Sequence, residues 1–482
     1  MIIKNCLAAL PGESGLRKKD IRVASGKIAE ISESINPGSE EIFDAEGYEV
    51  FPGAIDPHVH FDEPGFTHRE DFLHGSMAAA RGGVTTVIDM PCTSLPPVTT
   101  KAALLNKLAH IEKHSVVDFG LYGGVSGPID AADSGATGRA TAKAASVAKD
   151  GEEAFLADME ALAPYVLGFK CYFISGMETF TAVDHFRFRK ALVRAAELGR
   201  PLLLHAEDPS FVYPATEYWK REAELAGREA SWDDYANSRA EPAELSAVAA
   251  ACALATGYAE TLHIVHVGTA EAADIAFKAG ASAETCPHYL AFSRDDFATH
   301  GSALKTAPPV KARGQTDKLW RLLARGEISF AASDHAPAPQ EEKRTPSIWT
   351  DYGGIPGTGT LFPYLYSEGY RPGRVGLQRF LELTSGNAAK RFGLSGGKGS
   401  IQVGKDADFV FVNPARNYKI QGDKLLSKGT ITPFEGKTFE GFVEATMVRG
   451  TLVWDDRAKN DNPSASVKAA AGHGKHITWG YA

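Results

Sequence analysis

Long apolar runs are missing from this chain. No stretch approaches the ~20 residues that a membrane-spanning helix needs, so no membrane partner is expected. Blocks of like charge are missing too. The formal net charge of the 482 residues is −9, and Lys and Arg nowhere cluster into the footprint that nucleic acid requires. Cysteine is sparse: Cys6, Cys92, Cys171, Cys252 and Cys286 are scattered and odd in number, so no disulfide framework can be read. The start of the chain lacks a basic region followed by an apolar core and a cleavage site. These absences together point to a reducing cytoplasm.

Apolar matter itself is ample. Hydrophobic residues make up 44% of the chain, enough for a large core. The length suits one large α/β barrel plus a smaller appended domain. Residues 1–53 read as short strands separated by turns at Gly26, Gly47 and Pro52-Gly53. From 54 to 391 short apolar runs (85–88, 165–169, 201–204, 262–265, 328–332) alternate with longer stretches rich in Ala, Leu, Glu and Lys. Repeated β-then-α units imply a parallel sheet, and this many of them favour a TIM-type (β/α)8 barrel over an open sheet. Residues 392–460 return to strands, with a hairpin expected around Arg449-Gly450. The two terminal segments are expected to pair into one composite β-sandwich domain. The stretch 127–152, rich in Ala, Gly and Ser, reads as a mobile loop or weak helix. The polar tail, 461–482, reads as disordered towards its end.

The first chemical signal is His58-Val59-His60. Residues i and i+2 on a strand share a face, so both imidazoles can reach one metal. Alone, the pair is as well explained by two surface histidines. Three further runs end in possible ligands: Leu202-Leu203-Leu204-His205, Ile264-Val265-His266, and Ser329-Phe330-Ala331-Ala332-Ser333-Asp334. One apolar run ending in His is unremarkable, because a satisfied core histidine is the commoner case. Several such placements at strand ends, where TIM barrels carry their active sites, are hard to explain as packing. Gly168-Phe169-Lys170 is another run end, and a buried ammonium is costly there unless it is paired or snorkels to solvent.

In order and context, His58-Val59-His60, Lys170, His205, His266 and Asp334 resemble the amidohydrolase superfamily. More narrowly the chain resembles its cyclic amidohydrolases: allantoinases, hydantoinases and dihydropyrimidinases, and dihydroorotases. Gly82-Gly83-Val84-Thr85-Thr86, Cys286-Pro287-His288-Tyr289, Ser333-Asp334-His335-Ala336-Pro337 and Gly404-Lys405-Asp406-Ala407-Asp408 extend the likeness over nearly the whole chain. The resemblance implies two divalent metal ions, usually zinc. His58, His60 and Asp334 would hold one and His205 and His266 the other, with Lys170 carboxylated to a bridging carbamate. Asp334 would also be the catalytic base and acid. His263 is a rival for His266; the family pattern favours the second. A homodimer or homotetramer is implied as well.

The substrate branch is read from departures. Dihydroorotases typically carry an Arg two residues past the HxH, an Asn after the Met-Pro of the second strand, and a His after DHAP. Here those positions are Asp62, Cys92 and Ala338. An Asp facing an anionic substrate disfavours binding. Dihydropyrimidinases usually carry a Tyr about five positions past the lysine, where Ser175 stands. The stretches around Glu63-Pro64-Gly65 and Met90-Pro91-Cys92 look most like allantoinases. Ring opening to an N-carbamoyl acid is therefore the expected activity, with dihydroorotase or hydantoinase/dihydropyrimidinase activity as the alternatives. A small cyclic amide is the expected partner, in contact with Asp62, Cys92, Ser175, His288 and the turns at Ala307 and Gly354. For those turns ordinary Pro/Gly turn chemistry explains the residues equally well. A non-catalytic scaffold homologue, with lost ligands, and a mononuclear deaminase are the rival classes. The complete ligand set opposes the first and Lys170 the second.

Overall fold

The computed structural model describes residues 1–128, 149–458 and 461–482. The loose segment expected over 127–152 thus falls almost wholly outside the described residues. Its far end opens the helix Lys149–Leu162.

Five strands come first: β1 (Ile2–Ala8), β2 (Arg17–Ala24), β3 (Lys27–Ser32), β4 (Ile42–Asp44) and β5 (Glu49–Pro52). The barrel strands follow as β6 (Ala54–Val59), β7 (Val84–Asp89), β8 (Asp118–Leu121), β9 (Gly123–Gly124), β10 (Phe169–Tyr172), β11 (Leu202–His205), β12 (Leu262–Ile264), β13 (Ser282–Thr285) and β14 (Phe330–Ala331). Segments β8 and β9 are one strand interrupted at Tyr122, which leaves eight. Neighbours pair in parallel along β6-β7-β8 and along β9-β10-β11-β12-β13-β14. The ring closes where the chain beyond β14 meets β6. His60 donates its amide to His335 O at 2.8 Å, and His335 returns its own to His58 O at 3.3 Å.

Both faces of these strands are buried, so they read as continuous apolar runs rather than alternations. In β11, Leu202 and Leu204 pack outward against helix residues such as Ala247 and Val248. Leu203 points the other way and packs with Ile55, Ile88, Val265 and Phe330 from other strands.

The remaining strands are β15 (Phe409–Asn413), β16 (Tyr418–Lys419), β17 (Thr438–Phe439), β18 (Phe442–Val448) and β19 (Thr451–Asp455). One mixed sheet runs β19-β18-β15-β5-β1-β2-β3, with β4 on β1, so strands from both chain ends share it. The expected hairpin joins β18 to β19. Arg449 and Gly450 both have positive φ, 47° and 75°, as a tight hairpin turn requires.

The tail departs from expectation: it is docked, not loose. His476 bridges to Phe119 of β8, and Ile477 donates its amide to Phe119 O at 2.8 Å. Ile477 is buried and Trp479 covers Gly393. The average composition of the tail hides these anchors, since a few well-placed side chains suffice to hold it.

A buried charge cluster joins barrel, sheet and tail. Lys398 Nζ reaches Asp118 at 2.5 Å, Asp408 at 2.7 Å and Asp406 at 2.9 Å. Arg449 also binds Asp118, and Tyr481 Oη donates to Asp406 at 2.9 Å. Lys398, with Arg449 on Asp118 and Lys27 on Asp406, balances the charge of these three carboxylates. Among the described residues no helix is long and apolar enough to cross a membrane.

Candidate active site

The sequence-predicted ligands gather at the C-terminal ends of the barrel strands, where parallel barrels expose a mouth. His58 lies in β6 and His60 just past it; His205 ends β11. His266 follows β12 and Asp334 follows β14 by a few residues. Lys170 differs from the sequence reading. Residues 163–165 form a turn, and the strand begins only at Phe169, so Lys170 lies inside β10 rather than at its end.

Backbone shape aims two of these side chains. His266 and Asp334 have left-handed φ of 40° and 51°, which residues other than glycine seldom adopt. Simple alternation would send His266 to the face of Ile264, which packs outward. The left-handed residue past the strand end turns the ring inward instead. Asp56, buried in β6, accepts the Ser333 amide at 3.0 Å and so pins the loop that carries Asp334.

The four imidazoles stand in a row. Ring centroids are 5.4 Å apart for His60 and His58, 5.4 Å for His58 and His266, and 4.7 Å for His266 and His205. Asp334 Oδ1 lies 3.2 Å from His58 Nε2 and 3.5 Å from His60 Nε2. His205 Nδ1 lies 2.9 Å from His266 Nε2. Lys170 Nζ is fully buried without a hydrogen-bond partner, 4.7 Å from the centre of the Tyr172 ring.

Electrostatics prepare these groups as donors to a cation. Burial keeps His58 and His266 well below the usual imidazole range, hence neutral. It also draws the Lys170 amine down to about 8. Burial opposes ionisation of Asp334, but His58, His60 and His266 outweigh it and hold the carboxyl well below its usual range. His58, His60 and Asp334 offer ligand atoms that all lie within 4.8 Å of one another. Burial would lower His60 too, but Cys92 and Asp334 outweigh it and raise that ring to about 10, so without a cation it pairs with Asp334. Nitrogen and oxygen donors gathered this closely, with a buried amine left unpaired, fit a divalent ion that would displace that proton.

Several neighbours escaped the sequence reading. Glu284 of β13 meets His58 Nδ1 at 2.5 Å. Glu207 meets His205 Nε2 at 3.0 Å and Arg239 at 3.1 Å. Tyr172 stacks on His205 and contacts Cys92 Sγ at 3.0 Å. The spacing His205-x-Glu207 repeats that of His58-x-His60 and was the legible sign for Glu207. For Glu284 the sign was an acid within an otherwise uncharged strand.

The positions read as substrate contacts divide. Asp62 is fully buried, left-handed at φ 55°, and neither carboxylate oxygen has a hydrogen-bond partner. Cys92 lies 3.8 Å from His60 Nδ1. His288 is buried with Nε2 unpartnered, and burial draws its ring down to about 4. Ser175 is occupied in its own turn: its hydroxyl donates to Phe180 O at 2.6 Å and accepts from the Met177 amide at 3.2 Å. Gly354 leaves no room for a side chain, since a Cβ there would meet Ala336 O at 2.3 Å. Gly353 approaches Ala307, where a Cβ would sit 3.6 Å from the Ala307 methyl.

Comparison with known proteins agrees with this geometry. Residues 50–453 match the model of the amidohydrolase family. An allantoinase of Rubrobacter xylanophilus is 36% identical over 448 residues, covering 92% of each chain. A dihydroorotase of Halobacterium salinarum is 37% identical over 440 residues, covering 91% of this chain and 94% of that one. Among solved structures, the L-hydantoinase (dihydropyrimidinase) from Arthrobacter aurescens superposes with a TM-score of 0.85 at 28% identity, covering 98% of each chain. Fold and site thus define a TIM-type barrel hydrolase with a separate sheet domain. The chain belongs to the amidohydrolase family.

Proposed function

We propose that this chain is a metal-dependent cyclic amidohydrolase of the allantoinase kind, opening an uncharged cyclic ureide to an N-carbamoyl acid. One observation carries the class: six side chains carried by five barrel strands gather at one mouth, with imidazole nitrogens facing one another and a lone carboxylate oxygen between two of them. In this reading His58, His60 and Asp334 hold one ion, and His205 and His266 the other. Lys170, carboxylated on Nζ, would supply a further oxygen ligand. Two divalent ions, zinc in our reading, supply carbonyl polarisation and water of lowered pKa when bound. Asp334 takes the proton of the attacking water and hands it to the ring nitrogen as the C–N bond breaks. Burial of the row of imidazoles keeps bulk water from competing for these contacts.

The substrate choice rests on Asp62. Burial pushes the Asp62 carboxyl up to about 8, so near neutral pH it is a largely uncharged acid that can hydrogen-bond a ureide and that offers a ring carboxylate no cation. Cys92 and Ala338, in place of the Asn and His of the dihydroorotase pattern, point the same way. Dihydroorotate remains the second reading because a relative bearing that name is 37% identical. A non-catalytic scaffold fits poorly with a donor set this complete. We also place the protein in the cytoplasm as a homodimer or homotetramer. We divide it at 53/54 and 391/392, because β5 and β15 pair in the mixed sheet while β6 opens the barrel.

Metal-replete protein assayed side by side with allantoin, dihydroorotate, hydantoin and dihydrouracil tests the choice. Allantoin should give the highest kcat/KM. Turnover of dihydroorotate alone would overturn the substrate assignment.

A further inference from the structure

Two buried lysines outside the assigned site, Lys305 and Lys343, meet backbone carbonyls. Lys343 closes the short helix Gln340–Lys343, and its Nζ donates to Gly354 O at 2.8 Å, Tyr352 O at 3.1 Å and Lys305 O at 3.3 Å. Lys305 Nζ donates to Asp351 O at 2.5 Å, Ile348 O at 2.6 Å and Trp349 O at 3.2 Å. It also lies 4.8 Å from the centre of the buried Tyr235 ring, whose hydroxyl donates to Thr306 O at 2.8 Å. The carboxylate of Asp351 is turned elsewhere, to the amide of Thr345 at 2.7 Å and its hydroxyl at 2.9 Å. Segments 305–307 and 348–354 are thus tied together from one side.

A trans peptide points its C=O and the following N–H in opposite directions. Lys343 on Tyr352 O therefore turns the Gly353 amide away from the lysine, and Tyr235 on Thr306 O turns the Ala307 amide away from the phenol. The same rule is visible at Asp351. Lys305 holds its carbonyl, and the Tyr352 amide points the other way, to Glu342 O at 2.7 Å. The amides of Gly353 and Ala307 have no acceptor among the described residues. They are neighbours, since a Cβ on Gly353 would sit 3.7 Å from Ala307 N. Both residues are half-buried, within reach of a ligand. They also border the site: Gly354 packs on Ala336, two residues past Asp334. Burial draws Lys305 down to about 8, and burial together with Lys305 draws Lys343 down to about 7. The tie does not depend on charge, because a neutral amine keeps two of its three N–H donors.

We propose that Lys343, Lys305 and Tyr235 are positioning residues: from behind, they aim the amides of Gly353 and Ala307 at oxygens of the substrate ring. This rests on the cyclic-amide reading above. All three act through the backbone that they hold.

The test joins hydrogen exchange across residues 348–356 with steady-state kinetics on the zinc-loaded full chain. The substrate is whichever of the four ring compounds above wild type opens fastest. Tyr235→Phe keeps the ring and removes only the hydroxyl; it should raise KM about 3- to 10-fold, with kcat changed less than about twofold and zinc content unaltered. Lys343→Met should speed exchange across 348–356 and raise KM about 10- to 100-fold. An unaltered KM in Tyr235→Phe would overturn the proposal, even if the lysine variant failed to fold. So would wild-type exchange in Lys343→Met, or a fall in kcat and zinc content at constant KM in both variants, which marks a purely structural role. If wild type opened none of the four rings, the cyclic-amide reading would fail instead. Faster exchange in Lys343→Met would then still uphold the hold on the turns, and wild-type exchange would overturn it.

Discussion

Asp334 shows how one residue can be over-determined. Its backbone is left-handed, its loop is pinned by Asp56, and one of its oxygens faces two imidazoles. In the mechanism proposed above Asp334 moves a proton along the reaction path, and such a group should matter to turnover far more than to binding. Asp334→Asn is expected to lower kcat by about 10²- to 10⁴-fold, with KM changing much less. Steady-state kinetics on the zinc-loaded variant checks this; equal changes in both constants would contradict it. At this scale the sequence was informative for ligand types, because His, Lys and Asp at the ends of apolar runs are chemically conspicuous. It was poor for Glu284 and Tyr172. Their roles come from neighbours on other strands, at separations that no local pattern encodes.

At the scale of elements, the helix Phe72–Arg81 shows how local chemistry anchors the mouth. Asp71 caps it, accepting the His74 amide at 2.8 Å, while Phe72 packs edge-on against Phe61 beside the HxH strand. Burial would raise the Asp71 carboxyl, but the ring and amide of His74 outweigh it and hold it down to about 2. Asp71→Ala should cost about 1 kcal/mol at neutral pH. A carboxyl depressed in the folded state stabilises above its unfolded pKa and loses that contribution as pH falls through the folded value. The gap between wild type and variant in urea unfolding should therefore shrink below about pH 4, and shrink also as pH rises through the His74 value, which Asp71 holds above the usual imidazole range. Strand boundaries were legible within a few residues where both faces are buried, as in β7 and β11. They failed at β10, where the apolar run 165–169 includes a turn. Hydrophobicity does not distinguish a buried turn from a buried strand.

At the scale of the molecule, chain ends and barrel form one packed body. Strands β5 and β15 pair across the length of the sequence, and Lys398 ties Asp118 of the barrel to Asp406 and Asp408 beside the sheet. The repeated β-then-α pattern made the barrel legible, and the returning strands made the shared sheet legible. The docked tail was not, because its few anchors are diluted by polar neighbours. What this architecture achieves is to hold six donors, scattered from His58 to Asp334, at one mouth. The direct test is metal content and ring-opening activity measured on the same preparation before chelation, after it, and after zinc is restored. The account predicts two ions per chain, loss of hydrolysis on chelation, and its return with zinc. Full turnover by protein stripped of metal would contradict it.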